Sequence, residues 1–299
     1  MVTPGAETFL RPFRSCWLHT EGGRYHYLDE GPAGAPVLVM LHGNPTWSFY
    51  YRHLVSAFKD RYRVVVPDHM GCGLSDKPPA YAYTLERHIE NLEGLIAHLD
   101  LAKVTLLMHD WGGAIGMGYA TRHPGKVSRL VVFNSAAFSL PRCPLRIRVC
   151  RIPLLGALLV RGLNGFARAA LRFATSRPER FSESVRAGYL APYADWDSRV
   201  AVHAFVRDIP LEADHPTRHT LDEIDRRLST LSDKAMLIVW GADDFCFTEK
   251  DFLPQWRRRF PGARVHVLED AGHYVVEDAH DRIVPLLDDF LGHPEPQPA

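Results

Sequence analysis

Four short runs along the chain read as continuously apolar and rich in β-branched residues, Val37–Leu41, Arg63–Pro67, 104–108 and 130–133, and two further strand-like runs follow at 235–240 and Arg264–Leu268. A strand covered on both faces reads this way, whereas a strand with one wet face alternates. Between the runs, residues 47–58, 85–99, 114–122, 251–260 and 277–291 place apolar side chains at helical spacing. Strands alternating with helices predict a mainly parallel sheet with helices on both faces. From about residue 139 to 231 the rhythm breaks. Helix-forming segments there are separated by Pro-, Gly- and Asp-rich turns and no strand is evident, which predicts a helical cap inserted between two sheet strands. The expected organisation is a core domain (1–138 and 232–292), a cap (139–231) and a Pro-rich, disordered tail (293–299).

The most informative segment is Leu106-Leu107-Met108-His109-Asp110-Trp111-Gly112-Gly113-Ala114. An apolar strand runs into a nucleophilic side chain, then glycines, then a helix, the setting of the α/β-hydrolase nucleophile elbow. The tip residue is Asp110, and Met108 stands where the motif usually has glycine two positions upstream. An Asp N-cap would explain Asp110 alone, but other segments align with the elbow. A carboxylate nucleophile is ionised at neutral pH, so it attacks without a base. It can open an sp³ carbon electrophile and form an alkyl ester with the enzyme.

His273, in Glu269-Asp270-Ala271-Gly272-His273-Tyr274, occupies the chain position of the base, after a predicted strand and before the last helix. The acid that orients it is expected in Gly241-Ala242-Asp243-Asp244, with Asp244 favoured by spacing and Asp243 as the alternative. His42-Gly43-Asn44-Pro45-Thr46-Trp47 follows the first apolar run and supplies a turn of oxyanion-hole type. The Asn44 amide and the Trp111 indole N–H are neutral donors suited to a departing anion.

Composition narrows the classes further. Thirty-five Lys and Arg balance thirty-five Asp and Glu in 299 residues, which disfavours a dedicated nucleic-acid binder. Five scattered cysteines without a Cys-x-x-Cys pair suit reduced thiols, and with no visible signal peptide they predict a cytoplasmic protein. No apolar stretch is long enough to span a membrane. Phosphate-binding loops, dinucleotide fingerprints and metal-ligand motifs are absent, so neither cofactor nor metal is expected.

Taken together, the segments at 42–47, 68–78, 109–113, 241–244 and 272–273 resemble the haloalkane-dehalogenase-like branch of the α/β-hydrolase superfamily. Further likeness at 133–138, 156–164, 191–193, 205–210 and 269–278 is to the β-lactone decarboxylases of bacterial long-chain olefin biosynthesis. The resemblance implies an eight-stranded, mostly parallel sheet. It also implies conversion of a cis-3,4-dialkyl β-lactone to a cis-alkene and carbon dioxide, with Asp110 as nucleophile. A haloalkane dehalogenase using the same Asp110, His273, Asn44 and Trp111 is the alternative. An epoxide hydrolase is the third reading, with Tyr189 and Tyr193 the only cap tyrosines available as acids.

The zero net charge conceals an asymmetry. Residues 142–180 hold nine arginines against the single acid Glu179, interleaved with apolar residues, while residues 221–299 carry sixteen acids and nine bases. A basic, greasy cap on a more acidic body suits a docking surface. The family resemblance implies a preceding β-lactone synthetase as partner, with Arg146, Arg148 and Arg151 the expected contacts; peripheral lipid contact is the other reading.

Overall fold

The computed structural model describes residues 5–140 and 142–293. The Pro-rich stretch 294–299, and with it nearly all of the expected tail, lies outside the described residues. Eight strands form one sheet: β1 (Ser15–Thr20), β2 (Gly23–Glu30), β3 (Val37–Leu41), β4 (Arg63–Pro67), β5 (Val104–Asp110), β6 (Val127–Ser135), β7 (Ala235–Gly241) and β8 (Arg264–Leu268). Their order is β1-β2-β4-β3-β5-β6-β7-β8. The first two are antiparallel, and every pairing from β4 to β8 is parallel.

The six parallel strands fall on the six runs, and β8, at the sheet edge, alternates, with Arg264 and His266 exposed. β1 and β2 carry no such run, because β2 is buried by a polar arrangement. His26 in its centre is fully buried, with Nδ1 2.7 Å from Asp68 Oδ2. That contact satisfies a group which would otherwise be costly to bury.

In chain order the first helices are α1 (Arg52–Phe58), α2 (Leu85–His98) and α3 (Trp111–Arg122). Between β6 and β7 come α4 (Leu145–Val149), α5 (Leu155–Ala157, continuing as a π-helical turn Leu158–Gly162), α6 (Gly165–Phe173), α7 (Glu183–Leu190), α8 (Val200–Arg207) and α9 (Pro216–Arg227). The last two are α10 (Glu249–Arg259) and α11 (Val275–Gly292).

Alternate strand residues feed two cores. Val39, Leu41, Leu106 and Met108 pack towards α2, α3 and α10, whereas Leu38, Met40, Leu107 and Phe133 pack towards α1 and α11. Each fully buried Leu, Ile or Phe contributes roughly 1.5–3 kcal/mol, so these two layers hold the sheet flat against its helices and fix its carboxyl edge.

The insertion between β6 and β7 is helical throughout its described residues, but it is not uniform. Leu221 and Ile224 of α9 join the sheet-facing core with Ile89 and Ile115. The expected boundary at 231 therefore includes one helix that lies on the core layer. Leu171 of α6 and Tyr189 of α7 join the other sheet-facing core and Ala201 and Phe205 of α8 the first, while Ile147, Cys150, Val160, Ala167, Tyr193, Val202 and Val206 form a smaller core within the insertion. Among the described residues, no helix is long and apolar enough to cross a membrane.

Candidate active site

Asp110 ends β5 and immediately precedes α3, so the turn is one residue long. Its backbone carries the strain, at φ 51° and ψ −125°. A non-glycine residue in this region is sterically costly and is held there by the surrounding structure. The helix begins at Trp111, earlier than the spacing predicts, because Asp110 alone makes the turn. Met108 is accommodated from the other side: a Cβ on Gly116 of α3 would lie 2.5 Å from the Met108 sulfur. The glycine missing from the strand is thus met by one on the helix. Ser135 Oγ donates to the Asp110 carbonyl at 2.5 Å and ties the elbow to the end of β6.

The turn after β3 comes close to the carboxylate. The Asn44 backbone N–H donates to Asp110 Oδ1 at 2.7 Å. A Cβ on Gly43 would sit 2.1 Å from that oxygen, so only glycine leaves it room. This turn is fixed by a second one: His69 N–H donates to His42 Nε2 at 2.9 Å, and His69 Nε2 lies 2.8 Å from the His42 carbonyl. Asp68 anchors that second turn by accepting from Ser48 N at 2.7 Å and Leu74 N at 2.8 Å. The 68–78 motif is therefore scaffold for Asn44 rather than part of the reacting set.

Across the carboxylate, His273 Nε2 lies 3.6 Å from Asp110 Oδ2. On its other side, His273 Nδ1 is 2.8 Å from Asp244 Oδ2. Asp244 is buried, whereas Asp243 is exposed and does not face the histidine. Asp244 accepts three further hydrogen bonds: from Asn134 Nδ2 at 2.9 Å, Cys246 N at 2.6 Å and Phe247 N at 3.0 Å. Phe247 stacks on the imidazole at 16° and 5.7 Å, and His109 Nε2 lies 2.8 Å from the His273 carbonyl.

Asn134, Phe247 and Gly43 were not singled out from sequence. Asn134 stands at the end of β6, between the strands that carry Asp110 and lead to Asp244. An amide there, between two strand ends, was the one available signal.

Burial raises the Asp110 pKa above the ordinary carboxylate range; His273 and the backbone N–H groups of Asn44 and Trp111 offset only part of it. A carboxylate so poorly solvated is a stronger nucleophile than one in water. Burial also opposes protonation of His273, but Asp244, its hydrogen bond and Asp110 together outweigh it, and the His273 pKa is raised.

Asp110, Asn44 and Trp111 line one cavity of about 140 Å³, closed by apolar side chains that include Phe138, Leu140, Ile147, Phe166 and Val206. The Asn44 amide donates one hydrogen to the Val202 carbonyl at 3.1 Å, leaving its second for a bound group. Behind the cavity, the Trp111 ring lies 5.4 Å from that of buried Phe205. Tyr189 and Tyr193 do not line the cavity. Their hydroxyls donate to Glu277 Oε2 at 2.7 Å and to the Thr46 carbonyl at 3.4 Å.

A strained carboxylate at a strand-to-helix elbow, a histidine held between it and a second carboxylate, and this strand order define one class of protein. The chain belongs to the α/β hydrolase family, whose model matches residues 38–286. Within it, the chain lies in the branch that holds the haloalkane dehalogenases. It is 44% identical over 292 residues to a cis-3-alkyl-4-alkyloxetan-2-one decarboxylase of Shewanella oneidensis, covering 96% of this chain and 91% of that one. A protein of the same name from Xanthomonas campestris is 44% identical over 276 residues, 89% of this chain and 91% of that one. Haloalkane dehalogenase 2 of Mycobacterium bovis is more distant, at 33% over 286 residues, 95% of this chain and 96% of that one. Among solved structures, a haloalkane dehalogenase from Agrobacterium tumefaciens superposes with a TM-score of 0.84 at 26% identity, covering 95% and 98% of the two chains.

Proposed function

We propose that this protein is a β-lactone decarboxylase, a carbon–carbon lyase that converts cis-3,4-dialkyl β-lactones to cis-alkenes and carbon dioxide. The observation that carries the reading is the Asp110 carboxylate, with Oδ1 tethered by Asn44 N–H and the whole group open to an apolar cavity. The greater similarity to oxetanone decarboxylases than to dehalogenases, 44% against 33%, supports the choice between two chemistries that share these residues. The cavity lining contains no tyrosine, which leaves the epoxide-hydrolase reading without its acid.

In the proposed mechanism, Asp110 attacks the ring carbon that bears oxygen. The new bond is the ester C–O, and the ring C–O bond breaks with its electron pair going to the lactone carboxylate. Strain in the ring drives this step, and the Asn44 amide and Trp111 indole donate to the released carboxylate. The carbon–carbon bond to that carboxylate then breaks. Its electron pair forms the alkene, the ester C–O bond breaks, and Asp110 returns as a carboxylate. Inversion followed by anti elimination preserves cis geometry. No proton is consumed. His273, held by Asp244, activates water against any ester that fails to fragment.

Incubation with a synthetic cis-β-lactone beside a bromoalkane, analysed by gas chromatography and bromide release, tests the reading. Cis-alkene from the lactone is expected. Bromide release without alkene would assign the protein to the dehalogenases.

A further inference from the structure

Among the described residues, every exposed large apolar side chain lies between residues 145 and 196: Leu145, Ile152, Leu154, Leu155, Leu158, Leu163, Phe173 and Trp196. Leu154 is the extreme case. It is 87% exposed and sits at φ 61° on the Ile152-Pro153-Leu154-Leu155 tip, a left-handed backbone that a bulky residue rarely adopts. A leucine held outward at such a turn has no packing reason to be apolar.

Charge runs through the same elements. Arg146, Arg148, Arg168 and Arg172 have no acidic partner among the described residues, whereas Arg142, Arg151, Arg161, Arg177 and Arg180 are paired, Arg151 with Glu212 at 2.6 and 3.0 Å. Arg151 is therefore occupied within the chain, and the expected docking trio reduces to Arg146 and Arg148. Arg146 lies over the Phe173 ring at 5.0 Å, and Arg161 over Trp196 at 4.5 Å, so cation and exposed aromatic are adjacent.

The patch also adjoins the cavity. Helix α4 presents Ile147 to the cavity lining while its neighbours Leu145, Arg146 and Arg148 are exposed. Helices α4 and α6 and the π-helical turn share the small core of the insertion through Ile147, Ala167 and Val160.

From these placements we infer that the α4–α6 face docks onto an anionic lipid bilayer, its leucines entering the headgroup region and its free arginines meeting lipid phosphates. Unpaired cations beside outward leucines match a negatively charged, greasy surface; an acidic protein groove would meet the charge but not a protruding Leu154 tip. Docked this way, the protein takes a water-insoluble substrate straight from the membrane and returns a hydrocarbon to it. Only that consequence rests on the proposed function; the docking itself does not.

The test is co-sedimentation of the full-length protein with phosphatidylglycerol or phosphatidylcholine vesicles at low and high salt. At least tenfold tighter binding to phosphatidylglycerol is expected, weakened by salt. R148E/R172E, which replaces two cations by anions, and, separately, L154D, which puts a carboxylate at the apolar tip, should each lower vesicle affinity at least tenfold. Turnover of detergent-dispersed lactone and the melting temperature should stay within twofold and about 2 °C of the parent, as these exposed side chains do not line the cavity. Equal affinity for both vesicles, no binding, or binding unaffected by the variants would overturn the inference. So would a parent protein that ignores vesicles yet is retained by an acidic protein and released by R148E/R172E. Vesicle binding by a protein that yields no alkene would overturn only the proposed function.

Discussion

Replacing Asp244 with Asn should separate the two chemistries that this site can run. Oδ2 of Asp244 faces two donors, His273 Nδ1 at 2.8 Å and Asn134 Nδ2 at 2.9 Å, and Oδ1 faces the N–H groups of Cys246 and Phe247. An amide has one accepting oxygen and one NH2 group. Placing NH2 at the Oδ1 position strands two backbone donors. Placing it at Oδ2 strands only Asn134, which is itself fixed by the Gly241 backbone at 2.7 and 3.0 Å. The second arrangement costs less, at about 1–3 kcal/mol for the one donor left unmatched. It forces His273 to accept at Nδ1 and carry its proton at Nε2, facing Asp110 Oδ2 3.6 Å away.

A histidine in that tautomer cannot take a proton from water. Clearance of an alkyl ester should fall by about 10⁴-fold, as the same exchange does in a Ser-His-Asp triad. Decarboxylation, which removes no proton, should fall only about fivefold, from one neutral N–H contact of about 1 kcal/mol that Asp110 must give up on attack. The assay compares alkene formation from a cis-β-lactone with decay of the bromoalkane-derived ester, followed by intact-protein mass. Equal losses in both reactions would refute the reasoning, as would undiminished ester clearance.

Gly43→Ala should cost at least about 10² in kcat with little change in circular dichroism, since the added methyl displaces Asp110 Oδ1 from the Asn44 N–H. In pH profiles, decarboxylation kcat/KM should rise through one acid limb, displaced above the usual carboxylate value of about 4 because burial raises the Asp110 pKa, and then stay level. Ester clearance should show a second rise, displaced above the usual histidine value of about 6.5, since the raised-pKa His273 must be neutral to act as base; a second limb in decarboxylation would show that His273 moves a proton there too. Asp208, which accepts from Leu85 N and Thr217 Oγ1, has its pKa pushed up by burial to about 6. The folded state holds that proton more tightly than the unfolded chain, so Asp208 favours folding as pH falls from 6 towards 4 and opposes it above 6. Calorimetry should find that Asp208→Asn loses this slope, worth about 3 kcal/mol; identical pH dependence in parent and variant would contradict the assignment.

The parallel strands β3 to β7 were legible because burial on both faces demands continuous apolar runs, whereas edge strand β8 shows itself by alternation, with Arg264 and His266 exposed. β1 and β2 were not, because β2 buries His26 through Asp68, 42 residues away in the chain, a solution with no local pattern. Asp110 and His273 stood out through their neighbours in sequence, a glycine-rich helix start and a strand-to-helix turn. Asp244 was preferred over Asp243 by spacing, and its burial beside His273 agrees with that preference. The supporting residues depend on approach in space: Asn134 reaches Asp244 from 110 residues away, and Gly43 matters only because Asp110 lies against it. The same limit applied to Arg151, whose partner Glu212 lies 61 residues on, so a run of arginines could not reveal which were free.

The central claim is that Asp110 forms an alkyl ester whose fragmentation gives the alkene. A rapid-quench single turnover with a cis-β-lactone, read by peptide mass mapping and gas chromatography, tests it most directly. The account predicts a transient adduct of the whole lactone mass on the Asp110 peptide, followed by cis-alkene, with neither formed by Asp110→Ala. Alkene produced by Asp110→Ala at the parent rate, or a β-hydroxy acid as the sole product of the parent protein, would contradict it.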